Sequence, residues 1–167
     1  DNFYMSHENL YIAADKYNVN NNLSNTQLFK YDVDGLKMNF HSLGEVEGAI
    51  INQFAMDEYE GNFRIATTIY SEAEQTNSLY ILDENMNTIG ELSGLAKDER
   101  IYSVRYMGDK AYMVTFKEVD PLFVIDTSEP TKPEVLGELK IPGYSSYLHF
   151  YDENHLIGFG YDTKLMQ

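Results

Sequence analysis

The chain has 167 residues and a net charge of −15, from 12 lysine and arginine residues and 27 aspartate and glutamate residues. Such acidity argues against binding to nucleic acid or to an anionic lipid surface, because both require clustered basic side chains. The absence of cysteine excludes disulfides, thiolate catalysis and zinc sites with cysteine ligands, and the apolar runs are too short for a membrane-spanning helix.

The first 48 residues predict four short β-strands. Tyrosine and phenylalanine, with 14 and 9 residues, favour pleated, half-buried surfaces. The strand Asn2-Phe-Tyr-Met leads through the polar turn His7-Glu-Asn into a second strand, Asn9-Leu-Tyr-Ile-Ala-Ala. A third strand is predicted at Thr26-Gln-Leu-Phe-Lys-Tyr-Asp, and the pair Gly44-Glu45 marks a fourth.

Two connections in this first segment admit more than one interpretation. The long polar stretch Asn18-Val-Asn-Asn-Asn-Leu-Ser-Asn is expected to be either a surface insert or a contact loop, and Asn22-Leu-Ser within it fits a glycosylation acceptor. Asp32-Val-Asp-Gly resembles the start of a calcium loop, but Leu43 stands where that loop needs a bidentate glutamate. We therefore expect a hairpin turn between the third and fourth strands.

The same order of strands recurs along the rest of the chain. In residues 49–99 the strands are predicted at Asn52-Gln-Phe-Ala-Met, Asn62-Phe-Arg-Ile-Ala-Thr-Thr, Asn77-Ser-Leu-Tyr-Ile-Leu-Asp and Ile89-Gly-Glu-Leu. In residues 100–142 they are predicted at Tyr102-Ser-Val-Arg-Tyr, Lys110-Ala-Tyr-Met-Val-Thr-Phe, Asp120-Pro-Leu-Phe-Val-Ile-Asp and Leu136-Gly-Glu-Leu-Lys-Ile. A last unit starts at Gly143 and contains two strands, Ser146-Tyr-Leu-His-Phe and His155-Leu-Ile-Gly-Phe-Gly.

Two connections in the second segment also need interpretation. Asp57, Glu58 and Glu60 are expected to form a solvated acidic turn, with weak calcium binding as the alternative. Ser93-Gly-Leu-Ala-Lys-Asp-Glu is expected to join the second segment to the third, with a single helical turn as the alternative.

The recurrence predicts the architecture. Equivalent strands are about 43 to 53 residues apart, and a repeat of that length made of short strands is typical of a β-propeller blade. We predict an all-β fold, a partial β-propeller with antiparallel four-stranded blades over residues 1–48, 49–99 and 100–142 and about half a fourth over residues 143–167. Ring closure protects blade edges, so we interpret the chain as a segment of a longer protein that completes a ring or self-associates through its open blade edges.

The third repeat carries a family resemblance. The stretch Asp120-Pro-Leu-Phe-Val-Ile-Asp-Thr-Ser-Glu-Pro-Thr-Lys-Pro-Glu-Val-Leu-Gly-Glu-Leu, followed by Ile141-Pro-Gly-Tyr-Ser-Ser-Tyr-Leu-His, resembles secreted bacterial and archaeal β-propeller domains distantly related to WD40 repeats. It is also similar to the Leu-Val-Ile-Val-Asp repeats of bacterial surface propellers. The resemblance implies a secreted or envelope-attached protein and no established catalytic residues. From the residues, we expect Leu122 to Ile125 to be buried on both faces of the sheet.

A candidate ligand site follows from the first strand of each blade, which lines the central channel of a propeller. Alignment of the repeats places one polar residue before an aromatic residue in every blade, at Asn2, Gln53, Arg105 and His149. If these side chains point into the channel, they form a ring of donors that suits an anionic or polar ligand. The alternative is that each aromatic residue packs between blades while its polar neighbour faces water.

These observations favour a non-catalytic scaffold that presents loops or a channel to a protein, peptide or glycan at the cell surface. The alternative is a hydrolase that uses carboxylates or a bound calcium ion, although no catalytic motif is present. The four histidines lack metal-ligand spacing, with a transition-metal site at His149 and His155, which flank a turn, as the alternative. No cofactor is expected, with a bound calcium ion as the alternative.

Overall fold

The repeated strands form successive antiparallel sheets. The computed structural model describes residues 1–18, 23–71, 74–116, 120–141 and 143–162. In these residues three four-stranded sheets are followed by a two-stranded sheet, and within each sheet the strands lie in chain order. The predicted all-β partial propeller, with three blades and half of a fourth, is confirmed. No helix in the described residues has the length and apolar character needed to cross a membrane.

The bounds of the strands divide the chain into blades. Blade 1 contains β1 (Asn2–Met5), β2 (Asn9–Asn18), β3 (Leu23–Asp34) and β4 (Lys37–Glu47). Blade 2 contains β5 (Met56–Tyr59), β6 (Asn62–Tyr70), β7 (Gln75–Leu82) and β8 (Thr88–Leu95). Blade 3 contains β9 (Arg100–Met107), β10 (Lys110–Phe116), β11 (Asp120–Asp126) and β12 (Glu134–Ile141). The half blade contains β13 (Tyr144–Asp152) and β14 (His155–Tyr161).

Tight turns set the register of the hairpins. Between β5 and β6 the two turn residues, Glu60 and Gly61, have φ of 51° and 79°, which is the backbone that a two-residue hairpin turn requires. Between β3 and β4, Asp34 pairs directly with Lys37 across a two-residue turn. The stretch beginning at Asp32 is therefore a hairpin, as the sequence indicated.

Three local predictions need correction. The first strand of blade 2 begins at Met56 rather than Asn52, because residues Gln53–Ala55 form a short 3₁₀ helix that Asn52 caps by accepting a hydrogen bond from the Phe54 amide at 3.0 Å. The loop predicted from residue 18 to residue 25 is shorter than expected, since β2 and β3 stay paired as far as residues 18 and 23. Residues 19–22, which include the glycosylation acceptor, lie outside the described residues. The connection between blades 2 and 3 was predicted to begin at Ser93, but β8 continues to Leu95 and the connection begins after it.

The core lies between the blades. One apolar cluster joins blades 1 and 2, where the rings of Tyr11 and Phe63 stack with their centroids 4.3 Å apart. A second cluster joins blades 2 and 3. Because blade 2 has a neighbour on each side, residues 77–82 of β7 are all buried.

Strand β11 differs from β7 in its burial. Phe123 and Ile125 are buried, whereas Leu122 and Val124 are half-buried. The expected burial of β11 on both faces is therefore wrong for Leu122 and Val124. The half blade explains the difference, because its strand β13 packs against β9 and β10 and it contributes only two strands to cover a four-stranded sheet.

The recurring Gly-Glu step marks a close approach between neighbouring blades. A Cβ atom added at Gly44 would lie 2.8 Å from the carbonyl oxygen of Met86, in the turn between β7 and β8. A Cβ atom at Gly90 would overlap the carbonyl oxygen of Pro130, in the connection between β11 and β12. At the third glycine, Gly137, no atom of the described residues lies within 4 Å of that position. A turn of the following blade therefore packs against each of the first two glycines, whereas no described residue packs against Gly137.

Candidate functional site

The innermost strands of the three blades surround a hollow, here called the inner cavity. It has a volume of about 340 Å³. The residues that line it come from β1, the 3₁₀ helix, β5 and β9, and include Phe3, Met5, Gln53, Phe54, Asp57 and Arg105. A concave surface with aromatic walls and few polar groups is typical of a ligand site.

Arg105 is the central polar group of this site. Its guanidinium carbon lies 3.5 Å from the centroid of the Phe54 ring and 4.5 Å from that of Tyr147, so the cation is stacked on two aromatic faces. Its Nε donates a hydrogen bond of 2.8 Å to the carbonyl oxygen of Leu148, and Nη1 donates one of 3.2 Å to that of Val104. The side chain thus connects blade 3 to the 3₁₀ helix and to the half blade.

One donor of Arg105 is unused. Its Nη2 is buried and has no hydrogen-bond partner among the described residues, and within the same residues no carboxylate forms an ion pair with it. A buried donor without a partner costs free energy. An acceptor brought by a ligand would remove that cost.

The four residues of the predicted ring occupy different environments. Gln53 and Arg105 line the inner cavity, although Gln53 belongs to the 3₁₀ helix and not to a strand. His149 is exposed on β13, with its Nδ1 3.4 Å from the Tyr147 hydroxyl, so it is adjacent to the ring that packs on Arg105. Asn2 lies instead at an apolar hollow on the open face of blade 1. Whether these residues bind a ligand stays a prediction.

The aromatic partners of Arg105 add to the predicted site. Phe54 directly follows Gln53, and the pairing of a polar residue with an aromatic one was visible in the sequence. Tyr147 comes from the next blade, two residues before His149, and no local pattern links it to Arg105. That contact depends on how the blades are placed relative to each other.

The predicted acidic turn of blade 2 is an ion-paired and hydrogen-bonded element. Asp57 and Glu58 belong to β5, and Glu58 accepts hydrogen bonds of 2.7 Å from the Tyr11 hydroxyl and 3.0 Å from the Asn9 amide group. Burial and the Glu58 carboxylate raise the pKa of Tyr11, which keeps its hydroxyl protonated as the donor. The prediction of a solvated turn is therefore wrong for these two residues. Asp57 pairs with Arg64 within blade 2, and Glu58 bonds to blade 1.

Arg64 is the partner of Asp57 and links blades 2 and 3. Its side chain is 3% exposed, and its Nε and Nη2 both donate to Asp57 Oδ2, which Nε approaches to 3.1 Å. Nη1 donates to the carbonyl oxygen of Gly108 at 2.7 Å and to the Thr127 hydroxyl at 2.8 Å. Burial raises the pKa of the Asp57 carboxyl, and the positive charge of Arg64 opposes that shift.

Metal ligands do not converge in the part of the chain that the structure describes. No group of three or more histidine, cysteine, aspartate or glutamate side chains lies close enough to hold an ion there. His149 stands opposite Ile157 in the hairpin, while His155 Nδ1 lies 2.7 Å from the carboxylate of Asp152. The alternative of a transition-metal site at His149 and His155 stays a prediction, and in this structure His155 contacts Asp152 at the turn.

Comparisons with known proteins agree with this architecture. Residues 1–167 match the family described as a beta propeller domain. The chain is 53% identical over 140 residues to an uncharacterised protein of Methanocaldococcus jannaschii, a match that covers 82% of this chain and 22% of that protein. It is 46% identical over 125 residues to an uncharacterised protein of Archaeoglobus fulgidus, covering 75% of this chain and 20% of that one.

The chain spans about a fifth of the length of these two relatives. Both organisms are archaea, and the family match supports the propeller part of the resemblance seen in the sequence. A bacterial origin, a location at the cell surface and the likeness to Leu-Val-Ile-Val-Asp repeats stay predictions.

Proposed function

The chain belongs to the β-propeller domain family, and from this premise we propose that it is a non-catalytic scaffold that binds a ligand at the inner cavity. The proposed ligand is a group presented by a protein, peptide or glycan outside the cell or at the cell envelope. Propellers commonly bind along the channel formed by the first strands of their blades, and the inner cavity lies on those strands here.

The single observation that carries this proposal is the unused donor of Arg105. In a chain with a net charge of −15, this guanidinium packs on two aromatic rings and forms no ion pair with a carboxylate among the described residues. The low-dielectric surroundings strengthen any hydrogen bond that it makes. Because Nη2 is buried, we propose that the ligand gains access to it by displacing the ring of Phe54, which packs on the guanidinium and is 43% exposed.

We expect Arg105→Ala to weaken ligand binding about 10- to 100-fold, because a hydrogen bond from a charged donor contributes about 1.5–3 kcal/mol. Ligands are first identified by probing printed arrays of peptides and of oligosaccharides with the labelled chain. Calorimetric titration then measures the loss of affinity in the variant. His149→Ala is expected to have a smaller effect in the same direction. Lys97→Ala removes the same charge at an exposed position and serves as the control.

Circular dichroism of each variant separates binding from folding. The proposal is supported if the Arg105 variant keeps its strand signal while losing affinity. Parent-like binding by both the Arg105 and the His149 variants would remove the inner cavity as the ligand site.

We also propose that the open faces of the end blades pack against further blades of a longer chain and, in the isolated segment, against a second copy. Large apolar side chains are exposed on both faces, among them Phe3 at 70% on blade 1 and Phe159 at 57% on the half blade. Contiguous apolar surface of this kind marks an interaction site. We expect light scattering of the isolated segment to show a mass that rises with concentration, and a constant 19.2 kDa would contradict this.

The hydrolase alternative has no particular observation in its favour in the described residues. Asp57, the carboxylate on the inner cavity, forms an ion pair with Arg64. The neighbouring carboxylate, Glu58, accepts hydrogen bonds from Tyr11 and Asn9. Calcium binding stays a prediction, and a higher melting temperature on addition of calcium would favour it.

A further inference from the structure

A second concave site lies where the third blade begins. Its volume is about 180 Å³, and it is lined by the connection between blades 1 and 2, by the end of β6 and by the start of β9. Tyr70, Arg100 and Tyr102 form its polar and aromatic wall, and Ile50 and Ile51 form its apolar wall. We call it the Arg100 cleft. It shares no lining residue with the inner cavity.

The floor of the Arg100 cleft is built from satisfied polar groups. The Thr68 hydroxyl accepts a hydrogen bond of 3.1 Å from the amide of Ile101 and donates one of 2.8 Å to the side chain of Asn77. Thr68 also pairs with Ala49 through two backbone hydrogen bonds of 2.9 Å. Because β6, β9 and the connection between blades are joined here, the cleft is held in shape without a ligand.

Arg100 presents an available charge in this cleft. It is exposed, its Nη2 donates a hydrogen bond of 2.9 Å to the Tyr102 hydroxyl, and its guanidinium carbon lies 4.7 Å from the centroid of the Tyr102 ring. No carboxylate is paired with it among the residues that the structure covers. The aromatic contact fixes the plane of the guanidinium, and a fixed fork of donors matches a carboxylate.

An aromatic row continues from the cleft towards the half blade. The ring centroids of Tyr102 and Tyr144 are 4.8 Å apart, and those of Tyr144 and Tyr161 are 5.5 Å apart. Phe116 packs beneath the row, 4.9 Å from Tyr144. Tyrosine offers an apolar ring and a polar hydroxyl together, which is the combination that a sugar ring meets with its C–H face and its hydroxyl groups.

We infer that the Arg100 cleft and the aromatic row bind an oligosaccharide that contains a carboxylate-bearing sugar. The carboxylate pairs with Arg100, and the adjoining sugar rings lie along Tyr102 and Tyr144. A row of several rings suits an extended chain of rings better than a single small anion. The net charge of −15 disfavours densely charged polyanions, so the ligand alternates acidic and neutral units.

The test uses one oligosaccharide in two forms. The probe is a tetrasaccharide of alternating glucuronic acid and N-acetylglucosamine, and the matched probe is the same molecule with its carboxyl groups reduced to alcohols. Titration of the full chain is expected to show binding of the acidic form at least ten-fold tighter than that of the reduced form. Arg100→Gln is expected to abolish the difference, while Lys97→Gln, which makes the same charge change at a surface position, leaves it intact.

A second variant separates the aromatic contribution from the charge. Tyr144→Ala, which removes a ring of the aromatic row, is expected to weaken both forms about five-fold and to leave their ratio unchanged. Arg105→Gln alters the inner cavity alone and is expected to change neither, so this inference and the proposed function fail independently. Equal binding of the two forms, an unchanged difference in Arg100→Gln, or preferential binding of the acetylated tripeptide alanyl-glycyl-phenylalanine with its free carboxylate would overturn the inference.

Discussion

Replacement of Arg64 with methionine is expected to lower the free energy of unfolding by about 3 kcal/mol, at the lower end of the cost of breaking a buried ion pair. Methionine retains apolar volume between the rings of Tyr59 and Tyr106, which lie 4.7 and 4.9 Å from the guanidinium carbon. It leaves the Asp57 carboxylate, whose side chain is 23% exposed, without its cation. Urea denaturation followed by circular dichroism measures the loss.

The control for Arg64 is an ion pair at the surface. Lys97 lies 2.7 Å from Glu74, with side chains 65% and 44% exposed, and Lys97→Met is expected to cost less than about 1 kcal/mol. Adding Asp57→Asn to Arg64→Met should recover part of the loss, because the unpaired carboxylate is then removed. Equal costs for the Arg64 and Lys97 variants would show that neither the ion pair within blade 2 nor the hydrogen bonds from Arg64 to blade 3 stabilise the fold more than a surface ion pair does.

Replacement of Gly90 with valine is expected to cost about 3 kcal/mol, the upper end of the usual cost of overpacking. A Cβ at this position overlaps a backbone carbonyl of Pro130, and backbone cannot move aside as the end of a flexible side chain can. The expected result is a lower denaturation midpoint, with loss of packing between blades 2 and 3. Thermal and urea unfolding both measure it.

Gly137 supplies the matched comparison within the same repeat. It occupies the equivalent position in β12, and no described residue lies within 4 Å of a Cβ added there. Gly137→Val is therefore expected to change the stability of this segment by less than about 0.5 kcal/mol or to increase it, since valine favours strands. If both valine variants lose the same stability, the cause is the strand backbone and not the approach of the next blade.

The sequence predicted the elements that local chemistry determines. Alternating apolar residues and polar turns such as Glu60-Gly61 were sufficient for the hairpins and hence for the blades. The 3₁₀ helix was missed because the side chain of Asn52 competes for a backbone amide that a strand would have used. The uneven burial of Leu122 and Val124 was missed because burial depends on the neighbouring blade and not on β11 itself.

The contacts of Arg64 and Arg105 show where sequence reasoning stops. Asp57 stands directly opposite Arg64 in the β5–β6 hairpin, so this pair was open to prediction once the turn had been placed. The stacking of Arg105 between Phe54 and Tyr147 joins three blades, and the aromatic row beside Arg100 joins blade 3 to the half blade. Such sites arise from the angle between blades, which no short pattern encodes.

The glycine contact also has a direction. In both observed cases the earlier blade contributes the glycine and the later blade contributes the turn. The two ends of the segment therefore present different, complementary surfaces. Assembly through this contact is polar, and two copies that use it must meet head to tail. A symmetric pairing of like ends would leave Gly137 vacant in each copy.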